Sequence, residues 1–241
     1  MLRIAIITQA RTTSTRLPAK VLLTAAQQTM LAYHVNRAQQ SGYPVLVATT
    51  TNHTDQAIAD FCAQHQIACY RGSEQHVLSR YYECALQYQL DVVVRVTSDC
   101  PLIDGGLIAQ GIDQFLAMNN PYAYVSNGVV RSFPRGFDLE VFSFRYLEEA
   151  YQNATLAPDI EHVTPYIHQN RSGKTIFSHL CHTEDKSQYR ITLDTPEDYE
   201  LLRLLIEQYA AHTLNYAQII KLLDEHPELV AINAHIEQKK L

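Results

Sequence analysis

"IAIITQARTTSTRLPAK", residues 4–20, runs from four consecutive apolar residues into a loop that carries three cations, Arg11, Arg16 and Lys20, among four hydroxyls. Ile4, Ala5, Ile6 and Ile7 leave no polar face, which predicts a strand buried on both sides, as in a parallel sheet. The same signature recurs at VLVATT (45–50), IACY (67–70) and VVVRVT (92–97). Between the runs, Leu31, Val35 and Ala38, and then Val77, Tyr81, Cys84, Ala85 and Tyr88, fall at helical spacing. Strand alternating with helix predicts an α/β architecture around a mostly parallel, doubly wound sheet.

Closely spaced strand-like pieces between NPYAYVSN (120–127) and LEVFSF (139–144) predict mixed or antiparallel additions in mid-chain. Beyond QYRITLD the chain turns helical to its end, with Tyr199, Leu202, Leu205, Ile206 and Tyr209 on one face. Thr195 as N-cap, Pro196 in the first turn and Asp198 three residues after the cap mark where that helix starts. With no repeat, low-complexity segment or linker in view, the simplest expectation is one domain over 1–241.

The formal charge of −6, without a long Lys/Arg stripe, argues against a nucleic-acid surface, because neutralising phosphates needs clustered cations. Five cysteines without a C-x-x-C pair fit a reducing cytoplasm, and no apolar run reaches the length of a membrane span or the order of a signal peptide. A cytoplasmic protein is the expectation. In "HLCH" (179–182) a partner pair at zinc spacing is missing.

Ligands of open α/β sheets bind beyond the carboxyl ends of the strands, where QARTTSTRLPAK falls. Its guanidiniums, ammonium and backbone N–H groups suit phosphate oxygens, although a solvated turn would read the same on charge alone. Neither the P-loop nor the dinucleotide fingerprint is present. Asp99 in RVTSDCPLID (95–104) ends a buried strand and is either a ligand or a cap, with Asp104 the better cap. Asp194 ends the strand-like run RITLD before the capped helix. Two such carboxylates can share one Mg²⁺ that takes its other ligands from water and substrate phosphate.

The blocks QARTTSTRLPAKVL, GSEQHVLSRYYECA, RVTSDCPLID, PRGFDLEVFS, EHVTPYI and ITLDTPEDYELL, in this order, resemble the cytidylyltransferases of the spore coat polysaccharide biosynthesis protein F type. More distantly the chain is similar to the CMP-Kdo and acylneuraminate synthetases. The resemblance implies a Rossmann-like three-layer nucleotidyltransferase fold. It also implies transfer of CMP from CTP to the anomeric hydroxyl of an acidic sugar, with release of pyrophosphate, for a surface glycan.

By the same resemblance Arg11 and Lys20 hold phosphate in R-x-x-S-x-R-[LF]-P-x-K, Ser14 and Arg16 share that loop with Gln9 and Ala10, and Asp99 and Asp194 ligand Mg²⁺. Gln75 and Arg80 are candidates for the nucleotide, and Arg131 or Arg135 for a sugar carboxylate, since a guanidinium can grip it with two hydrogen bonds. Asp138 and Glu140 are candidates for sugar hydroxyls, with Glu161 and His162 closing that pocket; the alternative leaves Glu140 facing solvent and His162 satisfied in a helix. A homodimer touching around 120–165 is expected from the family. Thr13, Ala19 and Ser98 stand where the family usually has glycine, and the two hydroxyls there are expected to donate hydrogen bonds instead. A nucleotide-sugar-dependent glycosyltransferase is the alternative enzyme, but no D-x-D follows a strand-like run; a non-catalytic nucleotide-binding relative is the third reading.

Overall fold

The structure is a computed structural model and describes residues 2–237. In chain order it contains β1 (Ile4–Gln9), β2 (Thr24–Ala25), β3 (Gln28–Thr29), α1 (Met30–Gln39), β4 (Val45–Thr50), α2 (Gln56–Gln64), β5 (Ala68–Gly72), α3 (Val77–Gln87) and β6 (Val92–Thr97). There follow α4 (Gly105–Met118), β7 (Ala123–Ser126), β8 (Glu140–Ser143), α5 (Phe144–Asn153), α6 (Ala157–His162), α7 (Pro165–His168) and β9 (Ile176–His179). The last helices are α8 (Pro196–Tyr209), α9 (Tyr216–Glu225) and α10 (Pro227–Ala231). Of the helical stretch expected over 196–241, helices run to Ala231, residues 232–237 are turn or irregular, and 238–241 lie outside the described residues.

Seven strands form one sheet in the order β5-β4-β1-β6-β8-β7-β9. β5, β4, β1 and β6 are mutually parallel, β8 is antiparallel to β6 and β7, and β9 is parallel to β7. Only β8 is reversed, which is the antiparallel addition that the crowded strand pieces of mid-chain predict.

Successive residues of β1 explain why the run has no polar face. Ile6 packs into a core shared with Leu31 and Val35 of α1 and Ile108 of α4, whereas Ala5 and Ile7 face Leu78 and Tyr81 of α3 and Leu147 of α5. Helices thus cover both sides of the sheet, giving the three layers of a Rossmann-like fold. Ile6 and Ile7 are both fully buried, and such a side chain contributes roughly 1.5–3 kcal/mol.

Asp104 is the N-cap of α4, accepting from Leu107 N at 2.8 Å, and this leaves Asp99 free of capping duty. Residues 190–193, expected as a strand, make only an isolated bridge from Arg190 to Arg135. The reason is the neighbours: Ile191 N donates to Arg135 O at 2.8 Å and Leu193 N to Asp99 O at 2.7 Å, so the segment lies across two loops rather than along one strand. That second bond ties the backbones of the Asp99 and Asp194 turns together.

Candidate active site

The loop after β1 is held by carboxylates from two other loops. Buried Asp55, just before α2, accepts from Thr12 N at 2.7 Å and Thr12 Oγ1 at 2.6 Å, and Thr50 Oγ1 also bonds to it. Glu74 accepts from Thr13 Oγ1 and lies 3.4 Å from Arg11 Nη1. Donors from Thr13 and Asn52 hold the Glu74 carboxyl below its usual range, so it stays ionised. These anchors fix the path of the loop and leave Ser14 and Arg16 along a cavity wall.

Lys20 is the centre of the site. Its Nζ is 2.7 Å from Asp194 Oδ1 and 3.2 Å from Asp99 Oδ2, with the side chain only 13% exposed. Burial alone would lower its pKa, but Asp99 and Asp194 outweigh that and raise it, so the ammonium persists at neutral pH. Burial would raise the Asp99 pKa, yet Lys20 and hydrogen bonds from Thr97 and Cys100 bring it down to about 2. Asp194 Oδ2 also meets Arg16 Nη2 at 3.1 Å and Arg190 Nη2 at 3.0 Å. Arg190 is braced from behind by Asp198, whose Oδ2 also accepts from Asp194 N at 2.9 Å. Three cations and two carboxylates therefore interlock at the carboxyl ends of β1 and β6.

Two cavities open on this cluster. One, of about 640 Å³, is lined by Gln9, Ala10, Arg11, Ser14, Arg16 and Lys20, and across from them by Gln75, Arg80, Asp99, Glu161, His162 and Asp194. All eight positions expected to hold nucleotide thus converge on one space. Gln9 Oε1 and Arg80 Nε are buried in its wall without a hydrogen-bond partner among the described residues. Orphaned polar atoms cost free energy unless something fills the space and bonds to them.

The other cavity, of about 680 Å³, is lined by Arg131, Arg135, Asp138, Glu140 and His162 and is again bounded by Asp99 and Asp194. Arg95 and Thr192 line it too, with Arg95 Nε and Thr192 Oγ1 buried and without a partner among the described residues. Neither stands out in the sequence, since an arginine inside an apolar strand and a threonine in a strand-like run carry no motif.

A cytidylyltransferase family model matches residues 5–225. The chain belongs to the cytidylyltransferase family. It is 35% identical to an uncharacterized protein, MJ1063, of Methanocaldococcus jannaschii over 97% of this chain and 95% of that one. It is 28% identical to the spore coat polysaccharide biosynthesis protein SpsF of Bacillus subtilis, over 93% and 95% of the two chains. Among solved structures, a cytidylyltransferase of Leptospira borgpetersenii superposes with a TM-score of 0.91 at 30% identity, covering all of both chains.

The departures from this cytidylyltransferase pattern now have physical content. Ala19, where the family usually has glycine, has φ 52° and ψ 23°, the left-handed region. There a Cβ crowds the backbone at a cost of roughly 1–2 kcal/mol, offset in part by the greater freedom of glycine in the unfolded chain. Ala19→Gly is accordingly expected to stabilise the protein by about 0.5–1 kcal/mol, read as a higher denaturant midpoint; a lower midpoint would show the loop strain to be absent. Thr13 and Ser98 do donate hydrogen bonds, but within the protein. Thr13 Oγ1 bonds to Glu74 and Ser98 Oγ donates to Gln9 O at 2.6 Å, so both hydroxyls brace loops instead.

On the side of the second cavity the expectations divide. Arg131 is paired with Asp138, whose Oδ2 also accepts from Gly136 N at 2.9 Å. Glu140 neither faces solvent nor has a free oxygen, because Arg95, Tyr124 and Thr164 all bond to its carboxylate. Glu161 lines the first cavity and not the second. The Arg135 guanidinium makes no hydrogen bond or ion pair among the described residues.

Proposed function

We propose that the chain transfers CMP from CTP to the anomeric hydroxyl of an acidic sugar of the 2-keto-3-deoxy type, releasing pyrophosphate, in surface glycan biosynthesis. The observation that carries this reading is the Lys20, Asp99 and Asp194 cluster lying between two cavities, one walled by loop cations and one by polar groups around Arg135. CTP brings ~4 negative charges, and in-line displacement at its α-phosphorus requires them to be held and neutralised. Arg11, Arg16, Lys20 and the backbone of the same loop are suited to that.

The donor set also fits Mg²⁺. Among the described residues no group of three or more His, Cys, Asp or Glu could hold a metal. Mg²⁺ asks for less, since it keeps several waters and takes one or two carboxylates plus substrate phosphates. Asp99 and Asp194 offer only oxygen and already share one cation, so both would hold it; when bound, the ion would supply charge neutralisation at the phosphates.

Arg135 is the residue we assign to the sugar carboxylate. Burial and the neighbouring guanidinium of Arg131 push its pKa below the usual value, which an incoming anion would relieve. A charge-assisted hydrogen bond contributes ~1.5–3 kcal/mol, so Arg135→Ala is expected to raise the KM for the acidic sugar about 10- to 100-fold with the KM for CTP unchanged. Equal KM values for the sugar would remove Arg135 from this role.

No helix among the described residues is long and apolar enough to cross a membrane, in keeping with a cytoplasmic enzyme. A homodimer would use the 120–165 region, where Val129, Val130 and Leu156 are exposed, and sedimentation velocity tests it. The function itself is tested by pyrophosphate release from CTP with eight- and nine-carbon acidic sugars. Release that depends on sugar supports the reading, whereas hydrolysis of a nucleotide-sugar, or CTP binding without turnover, overturns it.

A further inference from the structure

Four residues line both cavities: Thr97, Asp99, His162 and Asp194. If nucleotide fills one space and acceptor the other, the reacting hydroxyl and the α-phosphorus meet at this seam. Asp99 and Asp194 are engaged by Lys20, and Asp194 also by Arg16 and Arg190. Thr97 is a hydroxyl that lies 3.6 Å from Cys100 Sγ, and it is no base at neutral pH. His162 differs from the other three, because neither ring nitrogen bonds to any described residue.

The backbone beside His162 is held in an uncommon shape. Val163, fully buried, has φ 73° and ψ −52°, and Thr164 N closes a one-residue turn onto His162 O at 2.8 Å. A β-branched residue at positive φ stores roughly 1–3 kcal/mol and persists only where its surroundings over-determine it. Here Val163 N bonds to Asp159 O at 3.1 Å and Thr164 Oγ1 to Glu140 at 2.7 Å, clamping the turn from α6 on one side and β8 on the other. Strain of this kind fits the fixing of an imidazole at a chosen place.

We infer that His162 is the general base of the transfer, taking the proton of the acceptor hydroxyl as its oxygen attacks. The inference rests on the function proposed above. In the step the hydroxyl proton moves to a ring nitrogen of His162 and the oxygen pair forms the new O–P bond. The bond from the α-phosphorus to the bridging oxygen breaks, and its electron pair leaves with pyrophosphate. The charged groups acting on the imidazole are Glu161 of α6 and Arg95 of β6. Burial lowers its pKa most and Arg95 lowers it further, against the opposing pull of Glu161, so the ring is neutral at pH 7, as a base must be.

The test compares wild type, His162→Ala and His162→Gln with CTP and the acidic sugar that wild type accepts, measuring kcat and kcat/KM against pH and CTP affinity by calorimetry. Loss of a positioned base typically costs 10²–10⁴ in rate, and the expected result is a fall in kcat of about 10² with CTP affinity kept. The acid limb of the wild-type kcat/KM profile, which reports the free enzyme, is expected below the ordinary histidine value of 6.5 and to vanish in both variants, with added imidazole restoring part of the His162→Ala rate. Full activity in the variants overturns the role of His162 alone, as does a slowed variant that retains the acid limb. A wild type that releases no pyrophosphate with any acceptor overturns the proposed function and this inference with it.

Discussion

Lys20→Ala is expected to lower kcat by about 10²–10³ while the protein still folds, because one ammonium serves both sides of the reaction centre. In the free enzyme Lys20 Nζ joins Asp99 and Asp194, at 3.2 and 2.7 Å. Without it those carboxylates face each other and an incoming triphosphate with one cation fewer, so the largest penalty falls where charge builds up on the leaving pyrophosphate. The fold is expected to survive, since Asp194 keeps Arg16 and Arg190 and the loop keeps its bonds to Asp55. Lys20→Arg is expected to rescue only part of the rate, because a planar guanidinium cannot replace a compact ammonium between two carboxylates. Steady-state kinetics with a parallel denaturation curve separate these effects, and unchanged turnover in Lys20→Ala would remove it from the chemistry.

The elements most legible in the sequence are those whose residues report their own surroundings. Ile4 to Ile7 and Val92 to Val94 show burial on both faces, and the capping box of Thr195 and Asp198 marks the start of α8 where expected. QARTTSTRLPAK and Asp99 could be brought together because strand ends in a parallel sheet share one edge, whereas Asp194 arrives on a loop segment tied to the Asp99 turn through Leu193 N and Asp99 O. What could not be read was which polar group is already spent. Glu140 looks like a free acceptor until its partner across the register, Arg95 on β6, is seen, and Thr13 looks like a phosphate donor until Glu74 is found beside it. Asp55 and Arg190 act on the site through contacts 43 and 4 residues away along the chain, and only the Arg190 spacing is local. RITLD reads as a strand because alternation predicts pairing capacity but not whether a straight neighbour exists.

Glu140→Ala tests the hidden contact that lies deepest under the site. Arg95 and Glu140 face each other across β6 and β8, with side chains 16% and 13% exposed, and Tyr124 and Thr164 complete the carboxylate's bonds. Removing one partner leaves the other charge buried without compensation, which typically costs about 3–5 kcal/mol; replacing both by apolar residues is often close to neutral. Glu140→Ala is therefore expected to lower stability by roughly that amount, and Arg95→Met combined with Glu140→Leu to recover most of it. The acid response follows from the same pair. Burial would raise the Glu140 pKa, but Arg95, Tyr124 and Thr164 together hold it below the ordinary 4.5. A carboxyl lowered on folding contributes stability that is complete above the unfolded value and is lost as pH falls through the folded one. Urea unfolding of the wild type is thus expected to show a loss setting in below about pH 4.5 that is smaller in the double variant, which keeps the lowered carboxyls of Asp99, Glu74 and Asp198. If Glu140→Ala unfolds at the wild-type midpoint, the pair contributes nothing to holding β6, β8 and the turn behind His162 together.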